Sequence, residues 1–253
     1  MLKTPGQRFK YILYICDLNN DILLPLKYLT RLFLFLLPIA VSNCTCDRIP
    51  KEGQVKAHII EYKVTYLEDK AGSIPTSILP GKMTVVFADH YALNRIEGFL
   101  GQFSLIFIAN LSNRTVINLI KIFDKKYVYY GATDELPVCI SEIDSINIVE
   151  EEKNIEFAGF KCRKLKVTSS NYLDINVLCT DQIKVKNPNI TTPYKDIDEV
   201  LLMFNTRLSL LEMKFTATKY EEKEVPWEIF QVPDDYQEIS KVNIEQVLQE
   251  LFK

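Results

Sequence analysis

The chain has 253 residues, of which 47% are hydrophobic, so it has ample material for the core of one ordinary domain. It carries 30 basic and 33 acidic residues, which gives a formal net charge of −3 at pH 7. Nucleic-acid binding depends on neutralising phosphates with Lys and Arg, so this balance argues against a nucleic-acid partner.

The first distinctive segment in chain order has the features of an export signal. Lys27 and Arg31 precede an apolar run over residues 32–41, and the small residue Ser42 follows it. This run of about 10 residues is too short to span a bilayer, which takes roughly 20. We therefore expect residues 1–43 to be a leader and the protein to be exported.

Three alternatives remain for how the exported chain is held. In the first, Cys44 becomes a lipid-modified first residue and residues 44–54 act as a tether. In the second, the chain is cut after Ser42 and is free. In the third, the apolar run stays uncleaved behind a cytoplasmic tail.

Most of the remaining chain alternates apolar and polar residues with period two, as half-buried strands do. We predict strands over residues 55–67, 83–87, 91–96, 103–111, 115–123, 127–130, 160–168, 173–180, 201–208 and 213–220. Long successive strands with short turns indicate one strongly curved antiparallel sheet, an open and incomplete barrel. The predicted fold class is therefore mainly β with a few short helices, in one domain over residues 55–240.

Helical patterns are few. Residues 134–145 and 195–200 are short candidates. Residues 242–252 place their apolar side chains on one side, so the segment 241–253 is predicted to be a C-terminal helix or tail.

Two polar or irregular segments interrupt the strand pattern. Residues 150–152 are three glutamates, which we interpret as a solvated loop. Residues 70–81 contain two prolines and two glycines, and we interpret them as a surface loop, with a lid as the alternative.

The residues that enzymes and metal sites need are scarce. Only His58 and His90 occur, neither has a second ligand at metal spacing, and no Cys-x-x-Cys is present. A Gly-x-Ser-x-Gly elbow and a phosphate-binding glycine loop are also missing from the sequence. We therefore predict no metal, no cofactor and no catalytic residues, hence a non-enzymatic protein. A cleft that joins one histidine to a carboxylate and a hydroxyl would reopen the enzyme alternative.

Cys162 and Cys179 flank a predicted turn at 169–171 and are a candidate cross-strand disulfide. A register centred on that turn sets them directly opposite each other but pairs apolar residues with polar ones. A register shifted by one residue pairs Leu165 with Ile175 and points the two sulfurs to opposite faces. Because burial of the apolar row decides the register, buried free thiols are the alternative to the disulfide.

Several motifs of the second half form a set. Residues 157–164 have the sequence FAGFKCRK, and the further segments are 184–189, 192–202, 213–217 and 225–239. Together they resemble exported proteins common in Bacteroidetes, which carry an aGyKCkk signature and are similar to the periplasmic lipoprotein carriers LolA and LolB. The resemblance implies an incomplete antiparallel barrel around a hydrophobic cavity, covered by short helices. It also implies a location in the periplasm, or attached to the outer membrane, of a Gram-negative bacterium.

The leading hypothesis is binding of a lipid, an acyl chain or another apolar ligand in a concave β cavity. The residues expected to line that cavity are Ile60, Tyr62, Val64, Val85, Phe87, Phe107, Ile117, Leu119 and Phe215. The alternative is a structural or interaction protein that binds another envelope protein through its sheet face or edge, with Tyr127, Tyr129 and Tyr130 as the contact surface. We expect a monomer that contacts a membrane only through a lipid anchor.

Overall fold

One twelve-stranded sheet dominates the computed structural model, which describes residues 53–71, 74–169, 175–209 and 211–251. The strands are β1 (Gln54–Tyr66), β2 (Lys70–Ala71), β3 (Ile74–Pro75), β4 (Lys82–Ala88), β5 (Tyr91–Gly98), β6 (Phe103–Asn110), β7 (Thr115–Ile122), β8 (Lys125–Tyr130), β9 (Asn147–Phe157), β10 (Phe160–Thr168), β11 (Ile175–Thr180), β12 (Val200–Leu208), β13 (Leu211–Pro226) and β14 (Gln237–Glu238). Three 3₁₀ turns, Thr76–Ile78, Phe99–Gly101 and Trp227–Phe230, and one α-helix, α1 (Lys241–Leu251), complete the described part. The predicted leader 1–43 and Cys44 lie outside the described residues.

Strand β1 stands in the middle of the sheet and joins two meanders. On one side the strands follow as β4, β5, β6, β7 and β8, and the short β14 pairs in parallel with β8 at that edge. On the other side they follow as β13, β12, β11, β10 and β9, and every pair except β14–β8 is antiparallel. The two edge strands do not pair with each other within the described residues, so the sheet is not closed. The prediction of a mainly β fold with an open sheet is confirmed.

The sheet curves strongly, as shown by strands that are far apart in its order but line the same interior. Strands β7 and β12 lie six positions apart in the sheet order, roughly 29 Å in a flat sheet at about 4.8 Å per strand. Ile122 of β7 and Leu208 of β12 nevertheless line the same cavity. The concave face therefore folds around a shared space.

Successive side chains along the strands point to opposite faces of the sheet and form two separate apolar clusters. The larger, called the interior cluster, includes Ile60, Phe107 and Phe204 from strands on both sides of β1. The smaller, called the outer cluster, lies on the other face and includes Ile59 and Leu93. Both faces of the central strands are therefore covered by apolar packing, as the high hydrophobic fraction of the sequence requires.

Three chain segments fill much of the interior. In the segment 181–199, Tyr194 is fully buried and donates its hydroxyl to the carbonyl of Asn205 at 2.7 Å. In the segment 131–146, Val138 is fully buried and its N–H donates to Asn118 Oδ1 at 2.9 Å. Helix α1 adds Ile244 and Leu248 to the same interior cluster. These segments supply the side chains that a curved sheet of this size cannot supply alone.

The predicted short helices at 134–145 and 195–200 are wrong. Asp134, Cys139 and Ser145 have φ values of +62°, +62° and +52°, a left-handed conformation that no right-handed helix accommodates. Residues 195–199 form turns and bends before β12 begins at Val200. Helix α1 starts at Lys241, within one residue of the start at 242 that the apolar pattern predicts.

The interpretation of residues 150–152 as a loop is also wrong, because they lie in the middle of the edge strand β9. Glu150 pairs with Arg163 at 2.7 Å, and Glu151 pairs with Lys164 at 2.7 Å, both on the neighbouring strand β10. Charged side chains on an edge strand also oppose pairing with another chain.

Candidate functional site

The interior leaves one sizeable apolar cavity, of about 260 Å³, at the end of the sheet where β1 and β5 finish and β6 begins. We call it the outer chamber. Its lining is apolar apart from one amide and one phenol, and consists of Tyr66, Ile74, Ile78, Leu79, Pro80, Ile96, Gly98, Gln102, Phe103, Leu105, Ile122, Phe123, Leu208, Leu211 and Met213. The two partly exposed side chains Ile78 and Phe123 stand at its edge, so the chamber opens to solvent.

The lining contains no charged side chain among the described residues. The Tyr66 hydroxyl is engaged, since it donates to the carbonyl of Pro80 at 2.7 Å, and burial raises the pKa of Tyr66. An ion that entered this chamber would lose its hydration without gaining a partner, which is costly. The chamber therefore suits an uncharged, apolar group.

Residues 74–80 form one wall of the outer chamber and are held by hydrogen bonds to the chain on both sides. Within the segment, Thr76 donates its hydroxyl to the carbonyl of Glu68, just after β1, at 2.8 Å. After it, the N–H of Val64 donates to the carbonyl of Gly81 at 2.9 Å. A segment that the sequence marks as an irregular loop is thus a structural wall.

Gly98 of β5 permits the close approach of this wall. A Cβ atom at Gly98 would lie 2.4 Å from Cγ of Pro80, well inside van der Waals contact. Only glycine fits where a ring approaches the backbone so closely. The side of the chamber at β5 therefore depends on the absence of a side chain.

Four large exposed apolar side chains belong to the lining of the outer chamber or lie next to it in the chain. Ile78 and Phe123 are lining residues, Leu67 directly follows Tyr66, and Leu100 stands between Gly98 and Gln102; we call these four the rim. Leu100 is fully exposed with φ of +55°, and Phe123 is 56% exposed with φ of +54°. Their turns adjoin, since the N–H of Phe123 donates to the carbonyl of Gln102 at 2.6 Å. Bulky side chains are rare in the left-handed region, where Gly, Asn and Asp fit better, so neither burial nor backbone preference explains them.

A much smaller space of about 30 Å³, called the inner chamber, adjoins the outer one on the side of the middle of the interior. The two spaces share four lining residues, Ile96, Leu105, Leu208 and Met213. Beyond these the wall becomes more polar and includes Asn94, Thr191, Thr192 and Thr206.

None of the nine residues predicted to line the cavity lines the outer chamber. Phe107 and Phe215 line the inner chamber, and Tyr62, Val85 and Phe87 line a third space of about 20 Å³.

The remaining four predicted lining residues border none of these spaces. Ile60 and Val64 are buried in the interior cluster. Leu119 belongs to the outer cluster and Ile117 packs against it, so both lie on the opposite face from the one predicted. The prediction assigned the polar Asn118 to the outer face, but its side chain is buried and points inward, so its neighbours Ile117 and Leu119 point outward.

The sequence prediction missed the lining because the outer chamber is built from strand ends and from the segment 74–80. One signal was present: the irregular segment carries the apolar side chains Ile74, Ile78 and Leu79. A solvated loop has no need of them.

Cys162 and Cys179 are buried free thiols, so the structure does not contain the candidate disulfide. The register of β10 and β11 sets Cys179 opposite Arg163 and Leu165 opposite Val177. Compared with the register that sets the two cysteines opposite each other, the observed register is shifted by one residue, in the direction opposite to the shift predicted as the alternative. Apolar pairing still decides it, as expected.

His58 lies beside a hydroxyl and a carboxylate, the combination named above for the enzyme alternative, but these three residues line none of the spaces described above. Nδ1 of His58 lies 2.9 Å from the hydroxyl of Tyr220 and 3.6 Å from Glu222 Oε1, and the Tyr220 hydroxyl donates to Glu222 Oε1 at 2.5 Å. Burial, together with that bond to Glu222, raises the pKa of Tyr220, which is the opposite of an activated hydroxyl. Nδ1 of His90 lies 2.6 Å from Asp89 Oδ2, and its ring packs against that of Tyr91.

The described residues hold no group of three or more His, Cys, Asp or Glu side chains placed to bind a metal ion. The helix found in this part of the chain is neither long nor apolar enough to cross a membrane. No protein-family model matches the chain, and a search of curated proteins found no match.

Proposed function

We propose that the protein is a non-enzymatic binding protein of the cell envelope that takes up an acyl chain, or a ligand of similar apolar character, in the outer chamber. The observation that carries the proposal is the chamber itself, about 260 Å³ of apolar, uncharged space that opens at an apolar rim. Concave, largely preformed apolar spaces are the usual sites for small ligands.

The volume limits how much ligand the outer chamber holds. At about 30 Å³ per water-sized group, the chamber accommodates about eight or nine methylene groups. Burying that many contributes about 6–7 kcal/mol before the cost of association. The site therefore suits a medium-length chain or the end of a longer one, and a charged head group would stay at the mouth.

Two further observations support an envelope role. The segment 27–43 has the features of an export signal, and the second half of the chain resembles exported proteins similar to LolA and LolB. An open curved sheet whose interior is covered by a helix agrees with the fold that this resemblance implies, and we extend the proposal to a LolA-like fold on that basis.

The interaction alternative has less support. Tyr127 and Tyr129 pack against the interior cluster, and only Tyr130 is largely exposed. The edge strand β9 carries glutamates that oppose strand addition, and the other edge is covered by β14.

The test is a chain-length series. Straight-chain fatty acids from about six to about fourteen carbons displace a fluorescent apolar probe, N-phenyl-1-naphthylamine, from the purified protein. We expect affinity to rise about fourfold per added carbon up to about eight or nine carbons, and then to level. Failure of every chain length to bind, or an affinity independent of length, contradicts the proposal.

A filled-chamber variant provides the control. Ile122→Trp places an indole in the outer chamber and should abolish probe and ligand binding. Val242→Trp adds the same indole at an exposed site on α1 and should leave binding unchanged.

A further inference from the structure

Thr206 of β12 is an unusual buried hydroxyl. The residue is 3% exposed, and its Oγ1 atom has no hydrogen-bond partner among the described residues. Buried polar groups in folded proteins almost always have a partner, so an isolated one calls for an explanation.

The surroundings of Thr206 show what its hydroxyl faces. It lines the inner chamber together with the pair formed by Asn94 and Thr191, in which Asn94 Nδ2 donates to Thr191 Oγ1 at 2.6 Å. Thr192 lines the same chamber, but its hydroxyl already donates to the carbonyl of Asn189 at 2.9 Å. Of the three threonine hydroxyls on this wall, that of Thr206 is therefore the one without a hydrogen-bond partner among the described residues.

The inner chamber has the size and the charge for one small neutral group. Its volume of about 30 Å³ equals the share of one water molecule, and a hydroxyl group has nearly the same size. No charged side chain lines either chamber among the described residues. A carboxylate at this depth would lack a counter-charge, so the group is uncharged.

The two chambers are separated by shared side chains, some of which can adjust. Leu208 lies two residues nearer the mouth than Thr206, about 7 Å along the strand. Met213 stands opposite Thr206 in the β12–β13 ladder and borders both chambers. A methionine side chain is flexible and accommodates different shapes.

We propose that the ligand of the outer chamber carries a hydroxyl group at its leading end, which enters the inner chamber and hydrogen-bonds with Thr206. The ligand class is a neutral aliphatic alcohol with a chain of about eight or nine carbons. This inference rests on the proposed function and specifies its ligand.

The test compares two matched ligands on the full-length protein. 1-Octanol and 1-fluorooctane have nearly the same shape, but the fluorine is a poor hydrogen-bond acceptor and cannot donate. Calorimetry should show that the wild type prefers 1-octanol. Thr206→Val, which keeps the shape of the side chain, should weaken 1-octanol binding about two- to tenfold and leave 1-fluorooctane unchanged or slightly tighter.

Two control variants complete the design. Thr206→Ser keeps the hydroxyl and should keep the preference for 1-octanol, which also preserves the test if the valine variant does not fold. Thr65→Val makes the same change at an exposed strand position and should alter neither affinity.

The outcomes separate this inference from the proposed function. If both ligands bind and Thr206→Val changes their affinities equally or not at all, the hydroxyl is not recognised and this inference is overturned while apolar binding stands. If neither ligand binds to the wild type, the proposed function and this inference fail together.

Discussion

The middle of the interior and its end at the outer chamber are enclosed by the same sheet but are packed in opposite ways. In the middle, the segments 131–146 and 181–199 and helix α1 fill the concave face with fully buried side chains. At the end, the wall of residues 74–80 encloses space without filling it. The contrast teaches that curvature alone does not make a binding site: the connecting segments decide where the concave face stays open.

Large-to-small substitutions should distinguish the two regions most strongly. Leu202→Ala, at a fully buried position of the filled middle, should lower the free energy of unfolding by about 3 kcal/mol because it leaves a cavity among packed side chains. Leu79→Ala at the outer chamber should cost only about 1 kcal/mol, since that side chain already borders a void. Urea unfolding measures both, and equal losses would remove the distinction.

The wall of the outer chamber should be sensitive to a single methyl group. Gly98→Ala forces Cβ against Pro80 and should destabilise the protein by about 1–3 kcal/mol while weakening apolar-ligand binding. Gly81→Ala is the matched control, because a Cβ there meets no atom within 4 Å. Thermal unfolding and probe titration report on the two effects. A Gly98→Ala protein that behaves like Gly81→Ala would show that the wall yields freely.

The covering of the filled middle should weaken in acid. Lys241 of α1 donates to Glu135 at 2.6 Å. Burial raises the pKa of Glu135, but hydrogen bonds from Lys241, the N–H of Ala132 and the hydroxyl of Tyr129 outweigh it and hold the pKa below its usual value. A lowered pKa means that the stabilisation is present at neutral pH and is lost as the pH falls through the folded-state value.

Glu135→Gln should therefore remove about 1 kcal/mol of stability near neutral pH and flatten the loss that sets in as the pH falls through and below the ordinary glutamate pKa of about 4.3. Glu156→Gln, at an exposed position on β9, is the control and should leave the pH profile unchanged. Chemical unfolding at a series of pH values measures this, and parallel profiles for wild type and Glu135→Gln would contradict it.

A substitution in the rim should increase the stability of the protein and weaken its ligand binding. Leu100→Asn places a residue that tolerates positive φ at this turn and should raise the free energy of unfolding by about 0.5 kcal/mol. The same change removes an exposed apolar side chain next to the lining in the chain and should weaken ligand binding by up to about tenfold. Val242→Asn removes an exposed apolar side chain from α1 and should not affect binding. A more stable Leu100→Asn protein with unchanged affinity would show that Leu100 does not contribute to ligand binding.

Reduction should have no effect on the filled middle. Cys162 and Cys179 are unpaired thiols, and burial raises the pKa of Cys179 to about 12. Dithiothreitol should therefore leave the unfolding temperature unchanged, and iodoacetamide should label these residues only on unfolding. A lower unfolding temperature after reduction would contradict this prediction and support the disulfide hypothesis.

Sequence periodicity was sufficient for most of the long strands, because alternation is a local property. It failed at β9, where Glu150 and Glu151 are held by Arg163 and Lys164, which are more than ten residues away in the chain. Pairing of charges across strands leaves no apolar pattern in the strand itself.

The site was less predictable than the strands. Alternation distinguishes two faces of a strand but does not say which face a connecting segment will cover. In β7 both faces are apolar, and the inward Asn118 reverses the expected assignment of Ile117 and Leu119. The openness of the outer chamber depends on contacts such as that between Gly98 and Pro80, which no local pattern encodes.

The central position of β1 also governs how the chain folds. Gln54 of β1 pairs with Pro226 of β13, a contact across about 170 residues. Closing so long a loop costs entropy, and pairings of this kind slow folding. The joint between the two meanders therefore cannot form before β13 has been synthesised, so β1 must wait for this partner until every strand from β2 to β12 has been made.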